Sequence, residues 1–418
     1  MCTPLPDKFP PYRDFDPLVP VRCVTPGEGR TIHRYWDTSP FSPSGRWIAL
    51  TRFPTEARLP QPGDVAQVVL VNLEDGEERV AAETCGWDTQ LGAQAQWGAT
   101  DAELFYNDLD TEIWRPFGVR LDPFTGEKRL LEGTVYEVTL DGKWAVSACL
   151  RRTAATQAGY GVVVPEDARI FNHGIADDDG VYVTSVETGK SKLLVSIKTI
   201  IENATPRMDL SEYEGGDFYA AHVKWNPQGD RIMLVLRWIP SDPNVNKKKH
   251  MKKNLITMRA DGSDIHVAIP NSEWGVKGGH HPIWCPDGET VLMNLAIHGA
   301  GPLFVTARYD GSDYHALHNT IPGTGHPSLH PNGRHIVTDT APDKEGMKRV
   351  RLVDLKAGTD EDIVRLRAVP DFTGPKNELR VDPHPAWDRD FRRIAINACP
   401  DGTRRVLVAE LSERIRNS

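Results

Sequence analysis

GGHHPIWCPDG, residues 278 to 288, sets an aromatic residue two positions ahead of a Pro-Asp-Gly turn, and versions of it return along the chain. They are TSPFSPSG (38 to 45), QAQWGATD (94 to 101), VYEVTLDG (135 to 142), HVKWNPQG (222 to 229), HPIWCPDG (281 to 288), HPSLHPNG (326 to 333) and HPAWDRDF (384 to 391). Their starts are 56, 41, 87, 59, 45 and 58 residues apart, a spacing that calls for a repeat architecture before any division into domains.

Each copy is followed by apolar runs joined through DG or TG turns, as in VVLVNLEDGEERVAA (68 to 82) and VYVTSVETGKSKLLV (181 to 195). Alternation, β-branched residues and such turns are hairpin signals. Two hairpins per repeat make four strands. Seven such repeats predict an all-β fold, a seven-bladed β-propeller of four-stranded antiparallel blades forming one domain over residues 1 to 418. The last repeat stops after VLVAEL (406 to 411) and lacks an outer strand, so the N-terminal VPVRCVT (19 to 25) is expected to close that blade. Three long insertions, 152 to 180, 196 to 221 and 239 to 254, fall on connections that emerge on one face, called the top. Long loops gathered on one face of a repeat fold build a binding surface.

Composition narrows the function classes. The chain has 418 residues, 26% charged and 39% hydrophobic, ordinary for a globular protein. A net charge of −9 argues against nucleic acid as a partner. The six cysteines, Cys2, Cys23, Cys85, Cys149, Cys285 and Cys399, show no CxxC pair and read as reduced thiols. The N-terminus lacks an apolar leader core and no apolar run is long enough to span a bilayer. A cytoplasmic protein with no membrane partner is expected, as a monomer or small homo-oligomer.

The first position of each copy reads Thr38, Gln94, Val135, His222, His281, His326 and His384. Neutral imidazole is a good ligand for Zn²⁺ or Mn²⁺, and four histidines in register make a candidate divalent-metal set. Asp382 and the thiolate of Cys285 are candidates to extend it. The alternative is four imidazoles that bond neighbouring backbone. In the third repeat Tyr136 and Arg152 lie on either side of one turn, so a hairpin returns both to the top. A phenolate beside a guanidinium can take a carbon-bound proton while a nearby carboxylate is neutralised; a buried Tyr with a solvated Arg is the other reading. The run KKKHMKK (247 to 253) is a solvated loop or an attractor of polyanions. Arg380 with Asp382 and His384 forms a candidate carboxylate grip or a structural ion pair, and His33 and His173 are further top-face candidates.

The HPxWxPDG repeats, the DTSPFSPSG opening and RVDPHPAW resemble the seven-bladed propeller polysaccharide lyases: oligogalacturonate, ulvan and rhamnose–glucuronate lyases. The resemblance spans essentially the whole chain, and the Tyr136 and Arg152 spacing is similar to a tyrosine and arginine those enzymes place in one blade. It implies β-elimination on a uronic-acid-containing oligosaccharide, with Tyr136 as acid or base, Arg152 near the uronate carboxylate, and a metal at the histidines. Where ulvan and rhamnose–glucuronate lyases carry a catalytic histidine in the second blade, this chain has Gln90 and Gln94, here read as substrate contacts with Arg380 and His33. The base is then Tyr136 itself, or His173 or His222, or the reaction has changed. Non-enzymatic TolB-type propellers share the repeat, so a binding propeller for a protein or glycan, or a metal-dependent glycan hydrolase, are the competing expectations.

Overall fold

The computed structural model describes residues 5 to 242, 244 to 297 and 301 to 416, side chains at 248, 276 and 277 excepted. Cys2 and position 243 of the 239 to 254 insertion lie outside them. The chain forms seven four-stranded antiparallel sheets, the blades of a β-propeller. In the last, Val21–Cys23 pairs antiparallel with Arg405–Glu410, so the N-terminal strand closes the blade as expected. Among the described residues no helix is long and apolar enough to cross a membrane.

One hairpin geometry is copied in every blade. The anchor residue pairs with the residue seven positions on: Phe41 with Ile48, Trp97 with Leu104, Val138 with Ala145, Trp225 with Ile232, Trp284 with Val291, Leu329 with Ile336, and Trp387 with Ile394. Returning the chain in so few residues needs a left-handed residue in the turn, supplied by Gly45, Gly142, Gly229, Gly288 and Gly333 at φ between 67° and 73°. Phe391 takes that role in blade seven at φ 56°.

Burial explains the strand sequences. Trp47–Arg52 is buried throughout and Ala66–Asn72 nearly so, because inner blade strands are covered on both faces. The outer strand Glu78–Thr84 alternates instead, with charged residues on its open side, as an unpaired edge requires.

By contacts the chain divides into two compact units. One comprises Met1–Arg129, Ala158–Val164 and Thr324–Ser418, with blades one, two, six and seven; the other comprises Leu130–Gln157 and Pro165–Gly323, with blades three to five. In the first, Val337, Leu352, Ile396 and Leu407 pack blades six and seven together, and Ile48, Leu50, Val406 and Val408 pack blades seven and one. In the second, Val183, Ile200, Leu234 and Ile256 join blades three and four, while Val235, Leu255, Met293 and Val305 join blades four and five.

Three details differ from the sequence reading. The inner strand of blade one is split: Thr31–Ile32 pairs with Arg52 and Thr51, residues 33 to 40 leave the sheet, and Phe41 rejoins it. The 196 to 221 insertion holds a helix, Ile197–Asn203, capped by Ser196 Oγ accepting from Thr199 N–H at 3.1 Å, yet its end already belongs to the inner strand Gly216–Trp225. The lysine run is not a loop either, since Lys247–His250 forms a helical turn and Lys252 and Lys253 begin the strand Lys252–Arg259.

Leu407 is fully buried, and Leu407→Ala should lower stability by about 2–5 kcal/mol. Urea unfolding followed by tryptophan fluorescence measures it; a loss below about 1 kcal/mol would mean that the closed blade does not carry this packing.

Candidate functional site

The repeat also fixes an unusual backbone. Three residues before the anchor, Gln94, His222, His281 and His384 have φ of 57°, 50°, 62° and 46°, and His326 follows Gly325 at 53°. Ladder register shifts at this point between Ala221 and Lys224 and between His280 and Ile283, the signature of a bulge. A left-handed non-glycine costs about 1–3 kcal/mol. The left-handed backbone turns the side chain at this position out of the ordinary alternation of the strand; His222, His281 and His384 occupy it, and in blade six His326 directly follows the left-handed Gly325.

In the second unit the bulge presents His222 to two partners. Its Nδ1 lies 2.9 Å from Tyr136 Oη and its Nε2 lies 2.8 Å from an Nη of Arg237. A guanidinium has donors and no acceptor, so Nε2 must supply the lone pair and the ring proton sits on Nδ1, aimed at the tyrosine oxygen. That hydrogen bond favours negative charge on Tyr136 Oη. Arg237 is itself held by Thr156 Oγ1 at 3.0 Å. Directly across the ladder from Arg237 stands Lys253, whose ammonium lies 5.0 Å from the Trp274 ring. Burial first, then the charge of Arg237, lowers its pKa to about 8. His281 Nδ1 lies 2.8 Å from Nδ1 of His280, which also receives Asn294 Nδ2 at 3.2 Å.

The first unit uses the same position differently. Asp339 takes His326 Nδ1–H on both carboxylate oxygens, at 2.9 and 3.0 Å, and the backbone N–H of His384 at 3.1 Å. A carboxylate only accepts, so the lone pair of His326 is on Nε2, the tautomer of a metal-binding imidazole with its orienting acid. The His384 ring centroid is 4.3 Å from that of His326, and both its ring nitrogens are buried without a hydrogen-bond partner. Burial and the neighbouring His326 push its pKa well below the ordinary range, so it is neutral. A neutral imidazole lone pair, as on His384 and on Nε2 of His326, is the donor type that suits a divalent ion. Among the described residues no group of three or more His, Cys, Asp or Glu forms a ready metal cage.

The other sequence candidates fall as follows. Arg152 is engaged by Asp178, through the carboxylate at 2.6 Å and the carbonyl at 3.0 Å, with Asp179 at 3.5 Å; Arg237 is the guanidinium that reaches the Tyr136 and His222 line. His173 is exposed and borders a cavity of about 460 Å³ with Arg152, Phe171, Lys198 and Glu202. Gln90 is buried and clamps backbone, its Nε2 donating to Glu378 O at 2.9 Å and Arg380 O at 3.3 Å. Gln94 is buried with Oε1 unpartnered. Arg380 closes on Asp382 at 2.9 Å, and Lys348 takes the other oxygen at 2.6 Å. Burial would raise the Asp382 pKa, but the charges of Lys348 and Arg380 hold it well below the carboxylate range. His33 is fully buried, its main-chain N–H donating to Asn397 Oδ1 at 2.9 Å, and burial lowers its pKa to about 3. Cys285 does not offer a thiolate, since burial pushes its pKa up to about 12.

The histidine set is thus divided, with His326 and His384 in the first unit and His222 and His281 in the second. Both ring nitrogens of His222 are engaged by Tyr136 and Arg237, an arrangement suited to proton handling more than to ligating a metal. Sequence reading missed Arg237 and Asp339, and it singled out Lys253 only as part of the run 247 to 253. The faint signal was a charged residue interrupting an otherwise apolar inner strand, RIMLVLRWIP and HIVTD.

No family model and no curated protein matches the chain. Among solved structures it is similar to an oligogalacturonate lyase in complex with manganese, at TM-score 0.66 and 16% identity over 99% of this chain and 98% of that one. It is also similar to an oligogalacturonate lyase from Vibrio parahaemolyticus, at TM-score 0.63 and 14% identity over 97% of each chain. The tricorn protease follows at TM-score 0.51 and 12% identity, over 92% of this chain and 34% of that one. At these identities the likeness shows the fold, which by itself does not choose a function.

The tautomer assignment is open to test. Nitrogen-15 NMR should place the proton of His222 on Nδ1, and Arg237→Met should let the ring sample both tautomers. A proton found on Nε2 in the unaltered protein would refute the assignment.

Proposed function

We propose that this protein is a lyase that cleaves a uronic-acid-containing oligosaccharide by β-elimination. The observation that carries the reading is the line from Arg237 through His222 to Tyr136, in which the guanidinium holds one ring nitrogen and the other sets an N–H donor against the phenol oxygen. The two oligogalacturonate lyases among the neighbours support the same class of substrate.

The chemistry follows from those groups. The proton at C5 of a uronate lies α to the carboxylate and becomes acidic when positive charge faces that carboxylate. Tyr136 Oη, its negative charge supported by His222 Nδ1–H, takes the proton. The C5–H electron pair becomes the C4–C5 double bond as the C4–O bond breaks, and Tyr136 returns the proton to the departing oxygen. One residue serves as base and acid, so no histidine is needed where blade two carries Gln90 and Gln94. The carboxylate-facing role passes from Arg152, committed to Asp178 and Asp179, to Arg237.

His326 and His384 would hold a divalent ion, with Asp339 fixing the ring of His326. Manganese, present in one neighbour, or zinc would supply Lewis-acid stabilisation of developing negative charge. Asp339→Asn should weaken Mn²⁺ binding about ten- to a hundredfold by calorimetry, and unchanged affinity would remove His326 from the ligand set.

The deciding assay is ultraviolet absorbance of the unsaturated uronate on incubation with galacturonate, rhamnose–glucuronate and ulvan-type oligosaccharides. Tyr136→Phe should lower kcat by about 10²–10⁴-fold at unchanged melting temperature. A flat trace across a panel that control lyases cleave would overturn the reading.

A further inference from the structure

We propose that Lys253 is the carboxylate-recognising residue of the Tyr136, His222 and Arg237 group, and that it makes the site selective for a free uronate over the uronate methyl ester. The proposal deepens the lyase reading and rests on it.

Lys253 and Arg237 are directly opposed in the ladder between Arg231–Pro240 and Lys252–Arg259, so their side chains leave the same face of the sheet. Opposed residues have Cβ atoms about 5 Å apart, and like charges in that relation are destabilising. The backbone around Lys253 is fixed: its N–H donates to Asn271 Oδ1 at 3.2 Å, and Trp274, on the same helix Asn271–Lys277, backs the ammonium and spends its own indole N–H on Gly279 O at 2.8 Å. The side chain itself forms no hydrogen bond or ion pair among the described residues.

Two other lysines show what a structural lysine does in this protein. Lys252, one residue back and therefore on the opposite face, lies 5.2 and 5.1 Å from the Tyr213 and Trp238 rings and bonds the Glu212 carbonyl. Lys348 is closed by Asp382 at 2.6 Å and Val381 O at 2.7 Å. Lys253 alone of the three is left with a cation–π contact and a neighbouring guanidinium. Its lowered pKa is the expected result of holding a cation half-buried without an anion. A carboxylate placed against Lys253 and Arg237 relieves that repulsion and brings its own α carbon to the group that carries Tyr136. A methyl ester has the same shape and no charge, so it gains nothing from the ammonium.

The test uses the full chain and two probes, D-galacturonate and its methyl ester, titrated by calorimetry into the unaltered protein, Lys253→Met and Lys253→Arg. The acid should bind at least tenfold tighter than the ester, Lys253→Met should abolish that preference without weakening the ester, and Lys253→Arg should restore most of it, all at unchanged melting temperature. In turnover, Lys253→Met should lower kcat/KM on the acid oligosaccharide and spare the esterified one. Equal loss on acid and ester, or an unaltered protein that binds the acid no tighter than the ester, overturns the proposal. Absence of unsaturated product from every substrate would defeat the lyase reading, and the binding data would still decide the role of Lys253.

Discussion

The structure depends on a single constraint: in every blade the innermost strand must turn back so that the anchor meets the residue seven positions on. That register lets apolar runs such as Ala66–Asn72 be covered on both faces, and it fixes where the chain bulges. The bulge residue pays for its left-handed backbone with about 1–3 kcal/mol, which the burial of clusters such as Val337, Leu352, Ile396 and Leu407 offsets. A position that is strained and repeated is a place where the fold can aim a side chain, and this chain uses histidine there three times, with His326 directly after Gly325 in blade six.

What each histidine does is then decided by the second strand of its blade. Asp339, an acceptor, takes Nδ1–H of His326 and leaves a lone pair on Nε2. Arg237, a donor, occupies Nε2 of His222 and leaves a proton on Nδ1. Corresponding positions in two blades therefore carry opposite tautomers, one with its lone pair on Nε2 and one with its proton on Nδ1. The difference follows the neighbour, a guanidinium donor at His222 and a carboxylate acceptor at His326.

This accounts for what was legible in the sequence. The turn glycines, the aromatic anchors and the histidines leave a mark within one short motif, and from them the seven blades, the closing strand and the histidine position could all be read. Arg237, Lys253 and Asp339 lie on other strands, and their meeting with the anchors depends on cross-strand register, which no local pattern records. The pairing of Arg152 was not legible for the same reason, since Asp178 and Asp179, its partners, come from the far end of an irregular insertion. Gln90 looks like a site residue by its place in blade two, yet its amide is spent on the carbonyls of Glu378 and Arg380. Blade one was mislocated at its start because a two-residue strand, Thr31–Ile32, has no periodicity to see.

Charge balance distinguishes the structural from the open groups in each unit. Within the first, Lys348 and Arg380 each reach one oxygen of Asp382, so both cations have an anionic contact, and the ring nitrogens of His384 are among the buried groups without a hydrogen-bond partner. Within the second, Lys252 and Lys253 are adjacent in sequence, but the two-residue period of a strand sends one to an aromatic cover and the other to face Arg237. A folded chain closes its charges where stability alone is at stake. Places where it leaves like charges opposed are where a ligand completes the balance, and the sign of the deficit at Lys253 calls for an anion.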